Sequence, residues 1–287
     1  MEAKDLLGMW REMVERALDR FLPIEEGPSP SLAQAMRYSI FSGGKRIRPL
    51  LVLASTFAVG GDIERALPYA CALEMIHTYS LIHDDLPAMD NEDYRRGRPT
   101  SHRLFGEAMA ILAGDALLTE AFQLMANPIF CEDIPPLTVL RVIHEVSKAV
   151  GIKGMVGGQA LDVEVDGKLL NAEEIRRIHL YKTAAFMTVA VKIGGLIGGA
   201  DEKQLEKLVF FGHNFGMAFQ LIDDVMDYGE KKASNLANIL GVEEARLEAK
   251  RLLKEALKAL EGFGTRADPL REIVSSMERL LSNGKNP

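Results

Sequence analysis

Apolar residues recur along most of the chain with the period of an α-helix. In segment 6–21 they stand three and four residues apart, so they would form one face of an amphipathic helix. They are Leu6, Leu7, Trp10, Met13, Val14, Ala17, Leu18 and Phe21. The prolines and the glycine of PIEEGPSPS then end the pattern. The sequence therefore predicts that the chain begins with one helix followed by a break.

The same pattern predicts helices along the rest of the chain. Gly43 and Gly44 end one helical segment, and Gly60 and Gly61 end the next, RPLLVLASTFAVGG, in which Pro49 suits the first turn. The other predicted helices span 31–42, 64–85, 103–126, 136–150, 153–164, 172–199, 202–228, 242–262 and 268–281. Alternating strand patterns are scarce and no composition shift marks a boundary. We therefore predict an all-α protein with a single domain over residues 1–287.

Composition narrows the class of protein. The chain has 287 residues, 47% hydrophobic and 26% charged, with a net charge of −7, which is typical of a soluble protein and argues against a nucleic-acid surface. Charges interrupt the N-terminal apolar residues, and no uncharged run of about 20 residues is present, so we predict neither a signal peptide nor a membrane span. Cys71 and Cys131 lack metal-site spacing and are predicted to be buried free thiols. We expect a cytoplasmic enzyme or binding protein without nucleic-acid partners or stable membrane association.

An acidic cluster interrupts an apolar helix near residue 223. In GMAFQLIDDVMDYGE, Asp223 and Asp227 are four residues apart and Asp224 and Asp227 are three apart, so they are neighbours on the helix surface. Their sequence neighbours are Phe219, Leu221, Ile222, Val225 and Met226. Carboxylates in apolar surroundings are costly unless cations meet them. This segment therefore predicts a cation site rather than a solvated helix face.

A second acidic cluster lies in SLIHDDLPAMDNEDYRRGRPT, residues 80–100. Asp84 and Asp85 end a helical pattern, whereas Asp90 lies well off the face of Asp84 on a straight helix, at about 100° per residue. Pro87 disfavours helical geometry at Leu86. We therefore predict that the helix ends or bulges near Asp85 and that the chain returns Asp90 to the same pocket.

Two carboxylate clusters in an apolar interior favour Mg²⁺, which takes one or two carboxylates and completes its coordination with water or phosphate oxygens. Cations accompany both clusters, and arginine matches phosphate oxygens in pairs. They are Lys45, Arg46 and Arg48 in GGKRIRP, Arg95 and Arg96 after the first cluster, and Lys182 beside Thr183 in YKTAAF. The predicted ligand is a phosphate or diphosphate held by Mg²⁺ between facing helices.

Together, GGKRIRP, IHTYSLIHDDLPAMDNEDYRRGRPTSH and GMAFQLIDDVMD resemble the motifs of the trans-isoprenyl diphosphate synthases, in the same order and at similar distances. The resemblance covers roughly residues 30 to 260 and is greatest to the farnesyl diphosphate synthases of bacteria. It implies about ten core helices around a central cavity, a homodimer, and small-molecule diphosphate substrates. The implied reaction joins dimethylallyl or geranyl diphosphate head to tail with isopentenyl diphosphate, by ionisation, condensation and proton loss.

The resemblance also implies roles for individual residues. The expected ligands of three Mg²⁺ ions are Asp84, Asp90 and Asp223, assisted directly or from behind by Asp85, Asp224 and Asp227. The residues expected at the allylic diphosphate are Arg95, Lys182, Thr183 and Gln220. Those expected at isopentenyl diphosphate are Lys45, Arg48, His77 and Arg96. Of these residues, the ones expected to act in catalysis are Asp84, Asp85, Asp90, Lys182, Gln220, Asp223 and Asp224.

In this family, bulky side chains on the helix below the first aspartates limit the length of the product. Here the fifth residue before Asp84 is Tyr79 and the fourth is Ser80. An aromatic residue at the fifth position resembles the C15 type. Helix geometry alone puts Ser80 closer to the line of Asp84, and Tyr79 would have to lean across the tunnel. We expect farnesyl diphosphate, with geranylgeranyl diphosphate as the alternative.

The sequence departs from the family pattern after Asp227. The family continues through a glycine- and lysine-rich loop with a GK…GKD pattern, whereas this chain has the shorter YGEKKASNLANILGVEEA. Lys231 or Lys232 would then have to replace a phosphate-binding lysine. Two rival interpretations stay open: a non-catalytic subunit of a heteromeric prenyl synthase, and an HD-type metal phosphohydrolase suggested by His83 and Asp84. The first is expected to lose aspartates, and the second requires further histidine ligands.

Overall fold

The computed structural model describes residues 2–23, 28–165, 168–229 and 234–283. These residues are mainly α-helical. The first helices are α1 Ala3–Phe21, α2 Pro30–Ile40, α3 Ile47–Ala58 and α4 Ile63–Asp84. A two-residue antiparallel hairpin follows, β1 Tyr94–Arg95 and β2 Arg98–Pro99. The next helices are α5 Ser101–Phe105, α6 Glu107–Met125, α7 Pro128–Cys131, α8 Pro136–Val150 and α9 Met155–Glu164.

The chain continues through α10 Ala172–His179, a π-helical turn Leu180–Ala184, and α11 Ala185–Ile197. The remaining elements are α12 Glu202–Met226, α13 Leu236–Leu240, α14 Val242–Ala259, a 3₁₀ turn Gly264–Ala267 and α15 Asp268–Asn283. The prediction of an all-α protein is confirmed. Most predicted boundaries lie within three residues of those observed.

Two predicted helices are interrupted. The segment 103–126 is divided at Gly106, whose φ of 87° is open to glycine but costly for other residues. The segment 172–199 is interrupted by the π-helical turn. This turn holds one additional residue, and the helix continues through it from α10 to α11. The short α7 and α13 and the hairpin were not predicted. Cys71 is buried as expected, whereas Cys131 is only half-buried, and both are free thiols.

The core lies between α3, α4, α11 and α12, on which the other helices pack. Small residues allow close approach of α11 to α3. A side chain at Gly194 would collide with the carbonyl group of Val52, and Thr56 Oγ1 donates a hydrogen bond to the Gly194 carbonyl oxygen (2.9 Å). Helix α11 is largely buried, with Phe186, Met187 and Ile193 fully enclosed. This agrees with the sequence, because a helix that is apolar all round belongs inside a bundle.

Within the described residues, two helical segments are long and apolar enough to cross a membrane by length and composition alone. They are Glu107–Met125 and Ala172–Ile197, and 39% and 56% of their most apolar windows are buried within the protein. The second segment forms part of the core just described, and core helices of soluble proteins commonly have this composition.

Candidate active site

The first acidic motif lies at the C-terminal end of α4. The helix ends at Asp84, and the chain turns back so that the backbone N–H of Asp90 donates to the carbonyl oxygen of Asp84 (2.8 Å). A second bond in this turn runs from the Glu92 N–H to the Asp85 carbonyl oxygen (3.2 Å). The helix therefore ends where Pro87 predicts, and Asp90 returns beside Asp84.

The second acidic motif also lies at a helix C-terminus, because α12 ends at Met226 and Asp227 follows it directly. The C-terminal end of a helix carries partial negative charge, so carboxylates are unfavourable there unless cations are present. Both motifs share this placement. The two helix ends together form a strongly electronegative site.

Burial makes two of these carboxyl groups hard to ionise. The pKa of Asp84 is raised to about 6, chiefly by desolvation, while Lys182 acts in the opposite direction. The pKa of Asp223 is raised to about 7, again chiefly by desolvation, with Lys45 opposing the shift and Asp227 adding to it. Groups of this kind bind divalent cations in competition with protons.

The middle carboxylate of each motif is occupied by other protein groups. Asp85 is buried and accepts a pair of bonds from Arg95, from Nη2 to Oδ1 (2.5 Å) and from Nε to Oδ2 (3.0 Å). Asp224 is also buried, and its Oδ2 accepts from the Leu236 N–H (2.7 Å). By contrast, the carboxylates of Asp84, Asp90 and Asp223 have no hydrogen-bond partner within the described part of the chain. These three therefore have free oxygens for a metal ion.

One cavity of about 740 Å³ adjoins both motifs. From the first motif it is lined by Asp90, Arg95 and Arg96, from the second by Gln220, Asp224 and Asp227, and between them by Lys182. Asp84 and Asp223 are half-buried and are not among the residues that line this cavity, but they lie within electrostatic reach of Lys182 and Lys45 respectively. Thr183 is buried beside the cavity and donates to Gln220 Oε1 (2.7 Å).

The residues expected to bind isopentenyl diphosphate gather near Asp223. The guanidinium of Arg48 lies 4.9 Å from the ring centroid of Phe186, and its buried Nε has no hydrogen-bond partner. Burial lowers the pKa of Arg48 to about 10. Burial and the charges of Arg48 and Arg96 lower the pKa of His77 well below its usual value, so this imidazole is neutral. Lys45 is exposed nearby, and this group can receive an anion.

Arg46 differs from the other cations of its motif. Its backbone has a left-handed φ of 52°, which turns the side chain into the core. There it donates to Glu74 Oε1 (2.7 Å) and Glu15 Oε1 (2.7 Å), and its side chain is about 1% exposed. The sequence grouped Arg46 with the candidate phosphate ligands, but the structure places it in a buried ion pair. The motif therefore offers Lys45 and Arg48 to a ligand, while Arg46 connects it to α1 and α4.

Several site residues were missed by the sequence reasoning. Lys182 Nζ forms an ion pair with Asp162 Oδ2 (2.6 Å), and the Oε1 of Gln159, on the same helix, is buried in the cavity wall without a partner. His179 and Asn235 also line the cavity. The sequence GGQALD could have indicated Gln159 and Asp162, because it places an amide and an acid in an otherwise apolar helix. Lys231 and Lys232 lie outside the described residues.

Gly158 fixes the distance between α9 and the π-helical turn. A side chain there would collide with the Lys182 backbone, with its Cβ closest to the Lys182 nitrogen. We expect Gly158→Ala to lower the free energy of unfolding by about 2 kcal/mol through overpacking and to raise the KM for the allylic substrate, because it separates Asp162 from Lys182. Thermal unfolding and steady-state kinetics measure both effects.

The control is Gly8→Ala, in the middle of α1, where a side chain meets nothing within 4 Å. This change is expected to stabilise the protein by about 0.5–1 kcal/mol through helix propensity and to leave both KM values unchanged. Equal effects of the two substitutions would contradict the role given to Gly158.

The donor set of the site suits Mg²⁺. It consists of carboxylate oxygens, and within the described residues no three histidine, cysteine, aspartate or glutamate side chains form a ready-made metal cage. Mg²⁺ needs no such cage, because it is held by one or two carboxylates together with water and substrate phosphates. The HD interpretation finds no support here, since His83 Nε2 lies 3.1 Å from the Ile111 carbonyl oxygen, against α6.

Comparison with known proteins agrees with this geometry. The profile of the polyprenyl synthetase family matches residues 29–240. The chain is 52% identical over 227 residues to the farnesyl diphosphate synthase of Geobacillus stearothermophilus, covering 79% of this chain and 76% of the relative. It is 44% identical over 279 residues to the geranylgeranyl diphosphate synthase of Cyanophora paradoxa, covering 92% of each.

Solved structures give the same result. An FPP/GFPP synthase from Zymomonas mobilis superposes with a TM-score of 0.89 at 38% identity, covering 96% of this chain and 98% of that one. A geranyltransferase from Legionella pneumophila gives 0.91 at 32%, covering 99% and 98%. The chain is a trans-prenyl diphosphate synthase with the all-α isoprenoid synthase fold. The chain belongs to the polyprenyl synthetase family.

Proposed function

We propose that this prenyltransferase is a farnesyl diphosphate synthase, which extends dimethylallyl and geranyl diphosphates with isopentenyl diphosphate to (2E,6E)-farnesyl diphosphate. The observation that carries the proposal is the cavity bordered by both acidic motifs, with Lys182 between them. The relatives carry both farnesyl and geranylgeranyl names, so the C15 product rests on Tyr79, a buried aromatic residue below Asp84.

The carboxylates of Asp84, Asp90 and Asp223 would hold Mg²⁺ ions, three per site, assisted by Asp227. When bound, these ions would neutralise the charge that develops on the departing diphosphate. Lys182 would lie against the same oxygens, because it borders the cavity between the motifs. Arg95 would add a second cation on the opposite side, held in place by its paired bonds to Asp85.

The reaction breaks the bond between C1 and oxygen of the allylic substrate and leaves an allylic cation. The double bond of isopentenyl diphosphate, oriented by Lys45, Arg48, His77 and Arg96, attacks that carbon and forms the new carbon–carbon bond. A proton then leaves the carbon next to the new cation for an oxygen of the departed diphosphate. Water would destroy the cation, so it must be kept from the reacting carbon until the new bond has formed.

Purified protein incubated with geranyl diphosphate, isopentenyl diphosphate and Mg²⁺ is expected to release diphosphate and form a C15 alcohol after phosphatase treatment, as measured by chromatography. A chelator should abolish the product, and excess Mg²⁺ should restore it. Release of phosphate without a new chain would contradict prenyl transfer, and no reaction would favour a non-catalytic subunit. A C20 product would keep the reaction and overturn the chain length.

We also propose a homodimer built on α6, α7 and α8. Large apolar side chains are exposed on each of these helices, and exposed apolar surface favours burial in an interface. They are Ile111, Leu112, Ile129, Leu137 and Leu140, which are 44–79% exposed. Cytoplasmic location stays a prediction from the sequence.

A further inference from the structure

The buried side chain of Arg46 is held by groups from three different helices. Besides its bonds to Glu74 and to Glu15 Oε1, its Nη2 donates to Glu15 Oε2 (3.2 Å) and to the carbonyl oxygen of Ile40 (2.7 Å). Glu15 belongs to α1, Ile40 ends α2, and Glu74 belongs to α4. These bonds use four of the five N–H groups of a guanidinium. Arg46 therefore serves the protein itself and does not reach a substrate.

The backbone of residues 43–46, which we call the 43–46 loop, depends on these contacts. Gly43, Gly44 and Arg46 have positive φ angles of 95°, 140° and 52°. Glycine adopts such angles readily, whereas the left-handed region is unfavourable for arginine. An unfavourable backbone conformation persists where the surrounding structure enforces it. The ion pairs of Arg46 therefore hold the loop in a conformation that its sequence alone does not favour.

The 43–46 loop positions most of the residues expected at isopentenyl diphosphate, which we call the isopentenyl subsite. Lys45 belongs to the loop. Arg48 follows in the first turn of α3, whose N-terminal cap is Arg46. Arg96 Nη1 donates to the carbonyl oxygen of Gly43. A shift of the loop would therefore move all three cations of the subsite relative to one another.

Glu74 connects Arg46 with the rest of the isopentenyl subsite. It is 2% exposed and lies three residues before His77, so the two are neighbours on the surface of α4. Desolvation lowers the pKa of Arg48 and of Arg96, and the Glu74 carboxylate opposes this shift in both. The carboxylate that binds Arg46 thus also favours the charged form of the neighbouring guanidinium groups.

The second carboxylate partner of Arg46 comes from outside the region that the family profile matches. Glu15 lies on α1, whereas the matched region begins at residue 29. Helix α1 is fixed by its apolar face, because Val14 is fully buried and the ring of Trp10 meets that of Phe57 edge to face, with centroids 5.5 Å apart. A helix held in this way keeps Glu15, and through it Arg46, at a defined position.

We propose that Glu15, Arg46 and Glu74 support the isopentenyl subsite, with Arg46 as a positioning residue and α1 as part of the support. The two carboxylates hold the guanidinium, the guanidinium holds the 43–46 loop, and the loop sets the spacing of the cations that receive the diphosphate. The proposal deepens the proposed function and rests on it for the identity of the ligand. It distinguishes this cluster from a purely structural one, because weakening it should affect one substrate and spare the other.

The test compares Glu15→Gln with Asp19→Asn. Each removes one charge from α1, one helical turn apart, and each carboxylate pairs with an arginine, but the partner of Asp19 is Arg37 of α2. Glu15→Gln is expected to raise the KM for isopentenyl diphosphate by about fivefold to twentyfold, in keeping with weakened charged hydrogen bonds. The KM for geranyl diphosphate should stay within about twofold, because no residue expected there belongs to α1 or the 43–46 loop. Asp19→Asn should leave both values within about twofold.

Arg46→Lys tests the geometry of the guanidinium. Lysine keeps the charge but presents it from a single point, so it cannot reproduce bonds to two carboxylates and a carbonyl group at once. We expect the KM for isopentenyl diphosphate to rise at least about tenfold and the Tm to fall. Glu15→Gln changes a half-exposed side chain, so it keeps the test decisive if Arg46→Lys does not fold. Amide exchange in residues 41–48, followed by mass spectrometry, should quicken in Glu15→Gln and not in Asp19→Asn.

Several results would overturn the proposal. They are a lower Tm in Glu15→Gln without a change in the KM for isopentenyl diphosphate, a parallel rise in both KM values, and equal effects of Glu15→Gln and Asp19→Asn. A C20 product would overturn the proposed function alone, since the same two KM values can still be compared. If wild type formed no product, calorimetric titration with isopentenyl diphosphate would decide: a Kd raised only in Glu15→Gln supports the proposal, and an unchanged Kd or no binding to wild type overturns it.

Discussion

Replacing Asp223 by asparagine is expected to abolish prenyl transfer while stabilising the metal-free protein at pH 8. Activity should fall by about a hundredfold to a thousandfold or more, the usual cost of losing a group that stabilises transition-state charge. The gain in stability has a different cause. The carboxyl is half-buried at a helix C-terminus, where desolvation disfavours its ionised form and raises its pKa to about 7.

The sign of the stability change follows from linkage. A carboxyl whose pKa is higher in the folded state binds its proton more tightly there, so ionisation destabilises the fold. The penalty is absent below about pH 4, grows as pH rises towards 7, and is constant above that. We expect it to reach about 1–3 kcal/mol at pH 8, which corresponds to a rise in Tm of roughly 2–6 °C for Asp223→Asn. Thermal unfolding in chelator at pH 4 and pH 8 measures the difference.

Asp85→Asn is the matched control. It removes the same charge at the end of the other helix, α4, but from a carboxylate that is paired with Arg95. Breaking that pair should lower the free energy of unfolding by about 1–3 kcal/mol and so lower the Tm at pH 8. If Asp223→Asn also lowered the Tm, Asp223 would be a structural carboxylate like Asp85. That result would contradict its assignment as a group left unpaired for a cation.

Tyr79→Ala is expected to change the main product from C15 to C20 or longer. Tyr79 is 6% exposed, and its ring meets that of His83 edge to face, with centroids 5.7 Å apart. Its neighbour His83 lies against Gly114 of α6. Removing the phenol ring leaves space between α4 and α6 that the growing chain can enter. Chromatography of the dephosphorylated products gives the length distribution.

Ser80→Ala serves as the control for Tyr79→Ala. Ser80 Oγ donates to the His77 carbonyl oxygen within its own helix (2.9 Å), so removing the hydroxyl opens little space. Its product should stay C15. An unchanged C15 profile for Tyr79→Ala would show that another side chain limits the length of the product. A longer product from Ser80→Ala would show that the product grows along the Ser80 face of α4, which helix geometry places closer to Asp84.

The sequence predicted those features that depend on local chemistry. Pro87 indicated the end of α4 and hence the return of Asp90, and the apolar composition of α11 indicated its burial. The inward orientation of the Arg46 side chain was not predictable. It depends on a left-handed backbone at Arg46 and on two partners, Glu15 and Glu74, that lie on helices distant in sequence. The π-helical turn was not predictable for another reason: α11 after it is apolar nearly all round, so the side-chain period there does not reveal one additional residue. His179 and Asn235 acquire partners only when α10, α12 and α13 meet.

The π-helical turn at Leu180–Ala184 changes which residues share a face before and after it. An additional residue in the turn shifts the helical phase by about 100°, so positions before and after it cannot be assigned to faces with one continuous wheel. His179 and Phe186 are seven residues apart, which on a regular helix would align them. Instead, His179 faces Asp224, while Phe186 lies under Arg48. Any redesign of segment 172–197 must therefore assign faces to α10 and α11 separately. Lys182 and Thr183 lie in the turn between them.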